Sequence, residues 1–316
     1  MTVDPTTGHS APTDASHALT RRAALRILLA SAAVSSLASS SASAASAEPL
    51  AITLAQWSLH RTIFSGELDP LDFPRAARAA GIGGIEFVNQ FYQRYRPSTD
   101  WIGALRRQAD AEGVRCHLIM CDGEGELGDP DPKARRDAVE AHRAWIDIAR
   151  ELGCHSIRVN AMSRGTPEEQ IGHLVDGLGA LADRAAEQGL RVVVENHGAQ
   201  SSDGVWLAKV LRTTGRANLG ALPDFGNFRM SETKWADRYA GVAALTPLAF
   251  AMSAKSFDFD RDGNETTIDY PRMMQIVRAG GYTGAIGIEY EGRRLAESDG
   301  ILRTKRLLER LGCRSA

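Results

Sequence analysis

Three acidic side chains stand where short β-rich runs end, and their types and spacing suggest the chemistry this chain could do. Glu195 closes the run Arg191–Glu195 in Val-Val-Val-Glu-Asn-His-Gly, Asp224 follows Leu219–Pro223 in Leu-Pro-Asp-Phe-Gly-Asn-Phe, and Glu289 closes Ala285–Glu289 in Ile-Gly-Ile-Glu-Tyr-Glu-Gly. One apolar strand ending in a carboxylate is unremarkable. Three brought to one mouth repel each other, and a divalent cation is the simplest way to keep them ionised. An oxygen-only ligand set suits Mn²⁺ or Mg²⁺. His197, two residues past Glu195, and Asn227, three past Asp224, are candidate substrate contacts. So is Lys255, which follows a run expected to point inward and needs an anionic partner there. Glu86, in the run Gly84–Val88, and His117, in Val114–Met120, are further candidates for substrate binding, with a structural polar network as the competing role. Asp224 has a plainer alternative as an Asx-turn after Pro223, and Glu195 one as a cap of the next helix. His60 is a weaker candidate. His142, His155 and His173 fall on helices or strand starts and are expected to be structural or solvent-facing.

The elements that must position these groups alternate along the chain. Strands are expected at Ile52–Trp57, Gly84–Val88, Val114–Met120, Ser156–Asn160, Arg191–Glu195, Leu219–Pro223, Phe250–Ala254 and Ala285–Glu289. Helices are expected at Leu71–Ala80, Trp101–Glu112, Lys133–Leu152, Pro167–Gln188, Trp206–Thr213, Glu232–Ala244, Tyr270–Ala279 and Gly300–Leu311. Gly81, Gly113, Gly153, Gly189 and Gly280 each precede a strand, where a left-handed glycine can close a helix. Eight βα units point to an α/β fold, a (β/α)₈ TIM barrel. The rival, a doubly wound open sheet, would show a glycine-rich phosphate loop after its first strand. Here that strand runs into Trp57-Ser58-Leu59-His60. In a barrel, chemistry sits at the C-terminal strand ends, where Glu195, Asp224 and Glu289 fall.

Composition narrows the function classes. With 316 residues, 43% of them hydrophobic, the chain can bury a large core, which excludes wholesale disorder. A net charge of −2 argues against nucleic acid as a partner. The four cysteines are too few and too irregularly spaced for a disulfide scaffold, and packed free thiols are expected. No apolar run reaches the 18 residues of a membrane span. Residues 1–47 read as an export signal: Thr20-Arg21-Arg22 precedes a mild apolar run and a Ser/Ala tract ending Ala45-Ser46-Ala47. The paired arginine resembles the bacterial twin-arginine type, which implies a periplasmic or extracellular destination for a protein already folded around its cofactor. Residues 48–316 are then one barrel domain.

Taken together, Val-Val-Val-Glu-Asn-His-Gly, Leu-Pro-Asp-Phe-Gly-Asn-Phe, Ala-Met-Ser-Ala-Lys-Ser-Phe-Asp-Phe-Asp around Lys255 and Ile-Gly-Ile-Glu-Tyr-Glu-Gly resemble the xylose isomerase-like barrel family, a group of sugar phosphate isomerases and epimerases that includes AP endonucleases. The resemblance covers nearly all of residues 50–312. It implies a divalent metal held by Glu, Asp, His and Glu from strands five to eight, which here match Glu195, Asp224 and Glu289. The histidine is replaced: Ser253 stands two residues before Lys255 where the family often has His, and Asn227 stands where it often has another. The resemblance implies an isomerase or epimerase that abstracts a proton beside a sugar carbonyl, with Glu195 and Glu289 as acid/base pair and a small carbohydrate as substrate. Export points away from phosphorylated sugars. The alternatives are a 3-keto-glycoside lyase or hydratase on the same site and a non-catalytic carbohydrate-binding barrel. An AP endonuclease would need several zinc-binding histidines and a basic face. Phe91, Tyr92, Tyr95 and Trp101, in or near the loop after strand two, could stack on a sugar or support a homo-oligomer.

Overall fold

The computed structural model describes residues 48–95 and 98–315, so the expected signal over residues 1–47 lies outside the described residues. Eight strands form one parallel sheet: β1 (Ala51–Ala55), β2 (Gly84–Val88), β3 (Arg115–Met120), β4 (Ser156–Asn160), β5 (Arg191–Glu195), β6 (Leu219–Leu222), β7 (Ser253–Ser256) and β8 (Ile286–Tyr290). Neighbours pair in sequence order from β1 to β6, β8 lies beside β1, and β7 beside β8. Parallel bridges Ala221–Ala249 and Asp224–Ser253 join β6 to the β7 segment and close the ring. The architecture is the (β/α)₈ barrel, with a short final strand β9 (Arg314–Ser315) paired to β1.

Helix starts are set by side chains that satisfy the first free N–H groups. Asp131 accepts from Lys133 N ahead of α4 (Pro132–Leu152), and Thr166 with Glu169 forms a capping box ahead of α5 (Pro167–Ala186). Asp203, Asp237 and Asp269 cap α6 (Gly204–Thr214), α7 (Arg238–Leu245) and α8 (Tyr270–Ala279) in the same way. The remaining helices are α1 (His60–Phe64), α2 (Phe73–Ala79), α3 (Asp100–Glu112) and α9 (Glu297–Arg310). Their apolar faces cover the outside of the sheet, whose strands are buried on both sides; Val192, Val193 and Val194 of β5 are all fully buried.

Several boundaries differ from expectation, among them the end of the first strand, at Ala55 rather than Trp57, and the start of the last helix, at Glu297 rather than Gly300. The expected strand Phe250–Ala254 becomes Ser253–Ser256, because Phe250 packs its ring where a side chain on Gly220 would lie. The regular ladder to β8 then begins only at Ser253, opposite Gly287. The expected helix from Glu232 begins at Arg238, because Ser231 turns the chain by accepting from Lys234 N and Asp237 supplies the cap. The first expected helix loses its start to a 3₁₀ turn at Pro70–Asp72. Gly81, Gly113, Gly153 and Gly189 have positive φ, but after α8 it is Gly281 (φ +76°), not Gly280, that takes the left-handed position. The four cysteines are buried free thiols, and no described helix is long and apolar enough to cross a membrane.

Candidate active site

Inward-facing residues of the barrel are unusually polar at its C-terminal end. Glu195, Asp224 and Glu289 are all buried and offer carboxylate oxygens that lie within 4.8 Å of one another. Each is fixed by its own contacts. Asp224 uses one oxygen for the Asx-turn, accepting from Gly226 N and Asn227 N at 2.8 Å each. Its second oxygen accepts from Ser253 Oγ at 2.6 Å and points to the cluster. The turn and the ligand orientation are therefore compatible uses of one carboxylate. Asn196 pins the same segment, accepting from Asp224 N and donating to the carbonyls of Asp224 and Asn227.

Ser253 Oγ also lies 3.1 Å from Glu289 Oε2, so one hydroxyl links two of the acids. Lys255 Nζ reaches Glu289 Oε1 at 3.1 Å, Glu291 Oε2 at 3.4 Å and Asp224 Oδ2 at 3.9 Å, and donates to Asn227 Oδ1 at 3.1 Å. Asn227 Nδ2 in turn donates to Glu195 Oε1 at 3.0 Å. Gly226 leaves room for this lysine, since a Cβ there would sit 2.9 Å from its Cδ.

Arg158 completes the site. It is the third residue of β4, on the inward face with Asn160, and is 5% exposed. Its Nε lies 3.0 Å from Glu195 Oε2 and its Nη1 donates to Asp122 Oδ1 at 2.7 Å; Asn160 Nδ2 also donates to Asp122 Oδ1. The composition of the mouth did not single out this arginine. A signal was present: one arginine at an inward position of an otherwise short apolar strand, with the parity of Asn160.

Electrostatics follow from crowding charge in a dry space. Burial, then the neighbouring carboxylates, push Glu195 and Asp224 up to about 7, against the opposing pull of Arg158 on the first and Lys255 on the second. Burial works against the Lys255 cation, yet Asp224, Glu289 and Glu291 outweigh it and hold its pKa well above the ordinary value. Asp122 is also penalised by burial, but Arg158 dominates and lowers it to about 2.

Two expected contacts lie elsewhere. Glu86 is fully enclosed one residue layer beneath the cluster. It accepts from Thr53 Oγ1 at 2.6 Å and fills the space a side chain at Gly287 would need, 2.6 Å from the ideal Cβ. It cannot touch a substrate at the mouth. His117 sits at the opposite end of the barrel, because the β2–β3 register passes from Ile85–Cys116 to Glu86–Leu118 and skips it. Its ring packs edge-on to His155 in a cavity lined by Thr53, Gly84, Arg115 and Arg314. His197 stands exposed just past β5, near enough to Arg158 and Lys255 for desolvation and then their charges to lower its pKa. The aromatics after β2 turn inward: Phe91, Tyr92 and Trp101 are buried, with Tyr92 and Trp101 stacked at 4.8 Å, so these three offer no sugar platform.

The cluster fits a divalent cation: three buried carboxylates converge, and Lys255 and Arg158 leave part of their charge uncompensated. The ligands would be Glu195, Asp224 and Glu289. Ser253 adds a weak oxygen in place of an imidazole, which keeps the set hard and oxygen-rich.

The fold and this mouth define a class, and comparison with known proteins places the chain in it. Residues 74–311 match the xylose isomerase-like TIM barrel family, and the chain belongs to that family. Among solved structures, it is similar to 3-keto-D-glucoside 4-epimerase from E. coli, with 15% identity, 77% of this chain and 94% of that one covered, and a TM-score of 0.62. A sugar phosphate isomerase/epimerase from Parabacteroides distasonis is 14% identical over 84% of this chain and 95% of its own, at a TM-score of 0.64. The IOLI protein, solved with a zinc atom, is 14% identical over 81% and 96%, at 0.63. At such identities the likeness is one of fold. A 60-residue stretch is 40% identical to the C-glycoside deglycosidase alpha subunit of Arthrobacter globiformis, spanning 18% of this chain and 17% of that protein.

Proposed function

We propose that this protein is a sugar isomerase or epimerase that moves a proton on a carbon beside a carbonyl, with Glu195 and Glu289 as acid/base pair. The convergence of Glu195, Asp224 and Glu289 at the mouth, with Lys255 among them, carries the reading. One glutamate takes the proton from the carbon as negative charge develops on the carbonyl oxygen. The other returns a proton to the opposite face. Lys255 places a fixed ammonium beside that charge, in a water-poor site where such an interaction is strong. Glu195, Asp224 and Glu289 would hold Mn²⁺ or Mg²⁺, which would supply Lewis acidity at this mouth.

Incubation with ketoses and 3-keto-sugars in deuterated water, with Mn²⁺ supplied, should place deuterium on carbon. No uptake from any of them refutes the reading, and sugar binding unchanged in Glu195→Gln and Glu289→Gln would support a purely carbohydrate-binding barrel instead.

The stretch shared with the deglycosidase subunit favours one second reading: elimination from a 3-keto-glycoside by the same proton abstraction, with loss of the aglycone from the neighbouring carbon. Release of free aglycone rather than an epimer distinguishes it. The proposal includes export on residues 1–47; replacing both Arg21 and Arg22 by lysine should leave the protein in the cytoplasm.

A further inference from the structure

Glu291, which reaches Lys255 of the carboxylate cluster, also lines a cavity of about 570 Å³ together with Trp57, His60, Arg61 and Arg293. That size is ordinary for a site that holds a whole small molecule, for which roughly 300–1,000 Å³ is typical. Glu291 belongs to both spaces. One of its oxygens lies 3.4 Å from Lys255 Nζ, and the other accepts from Trp57 Nε1 at 2.6 Å.

The walls offer planar faces more than free hydrogen-bonding groups. Trp57 and His60 are stacked with ring centroids 4.8 Å apart and planes 13° from parallel. The indole Nε1 is occupied by Glu291, and His60 Nδ1 by the Trp57 carbonyl at 2.7 Å. Arg61 is spent on the carbonyls of Gly292 and Leu295 and on Glu297. A second sugar ring needs several uncommitted donors and acceptors for its hydroxyls. A flat aromatic group needs π faces and guanidinium planes: Trp57 is itself stacked on Phe91 at 5.9 Å and backs His60, so the wall presents the His60 ring and the exposed Arg293 guanidinium. Phe64, 62% exposed, stands edge-on to Trp57 at 6.1 Å and extends the apolar rim outward.

We propose that this cavity seats a planar aromatic aglycone attached to the sugar held at the carboxylate cluster, so that the substrate class is an aryl glycoside carrying a ring carbonyl. The inference rests on the sugar-directed reading above and adds the nature of the substituent. Glu291 is then the hinge between the two subsites, its carboxylate fixing the edge of Trp57 on one side and the Lys255 ammonium on the other.

The test compares methyl and 4-nitrophenyl 3-keto-β-D-glucosides as substrates. The aryl compound should show a KM at least about tenfold lower, a gain within the range of one buried aromatic contact. That ratio should fall below about threefold in Trp57→Leu and in His60→Ala, two variants that remove different members of the stacked pair. Equal KM values for the two glycosides in the wild type overturn the aglycone site and leave the sugar reading standing. If neither glycoside exchanges or turns over, the sugar reading fails, and calorimetric titration with the unoxidised methyl and 4-nitrophenyl glucosides still decides the site. Tighter aryl binding that is lost in Trp57→Leu supports it; equal binding, or a glucose disaccharide binding as tightly as the aryl glucoside, overturns it.

Discussion

The two ends of this barrel contain titratable groups with opposite fates. At the C-terminal end, Glu195, Asp224 and Glu289 meet two buried cations and form one connected network. At the N-terminal end, His117 and His155 meet each other edge-on with no carboxylate among the described residues acting on either ring, and burial drives His117 down to about 4, so it is neutral at physiological pH. The returns at the two ends explain the difference. Helix-to-strand returns are short, such as the two residues between α3 and β3 or the three between α4 and β4, and both of these begin on a left-handed glycine. Strand-to-helix connections are long, as from β6 to α7 or β7 to α8, and supply Asn227, Glu291 and the backbone donors that organise charge. Charge is concentrated where the chain has length to hold it.

Breaking the mouth should have the largest effect. Glu195→Gln and Glu289→Gln should each lower proton exchange by about 10³-fold, the scale of a lost general acid or base, with the circular dichroism spectrum unchanged. An exchange rate within tenfold of wild type for both would remove the acid/base pair from the mechanism.

Next comes stability at the same end. Arg158→Met leaves Asp122 and Glu195 without their buried counter-ion and should cost about 3–5 kcal/mol in denaturant unfolding, whereas Arg115→Ala at the other end should change stability by less than about 0.5 kcal/mol. Similar losses for the two would erase the contrast between the ends.

Glu86 sharpens the comparison from within the core. Burial raises it to about 7 from the ordinary value near 4.5, so the fold favours its neutral form. Below about pH 4 it is protonated whether folded or unfolded and contributes no pH dependence. As pH rises from there through 7 the unfolded chain releases the proton first, and stability falls. Glu86→Gln removes that penalty and should stabilise the protein at pH 8 relative to pH 4 by about 1–3 kcal/mol, read from thermal or denaturant midpoints. A gain independent of pH would place the effect in packing. The smallest change is expected for His117→Ala, with turnover within about twofold of wild type, since its ring lies at the other end of the barrel, beyond Thr53 and Glu86 from the carboxylates.

Much of this could be read from local pattern. Val192–Val194 running into Glu195 is a buried parallel strand whose last residue must leave the core, and Asp131-Pro132 or Thr166-Pro167-Glu168-Glu169 announces a helix by its own capping chemistry. Less legible were the start of β7, which depends on Phe250 packing over Gly220, and the place of His117, which depends on a register skip between two strands. Neither has a local sign. Phe91, Tyr92 and Trp101 read as loop aromatics because their stretch is polar; only packing against one another and the core shows them buried.

The sequence by itself determined the eight strand–helix units and which carboxylates lie at strand ends, because periodicity, capping and strand termination act over a few residues. Tertiary structure alone decided that Arg158 would meet Glu195, that Ser253 would join two acids, and that Glu86 would be sealed beneath them. Those outcomes depend on how strands far apart in the chain register against one another, and no short-range rule carries that information.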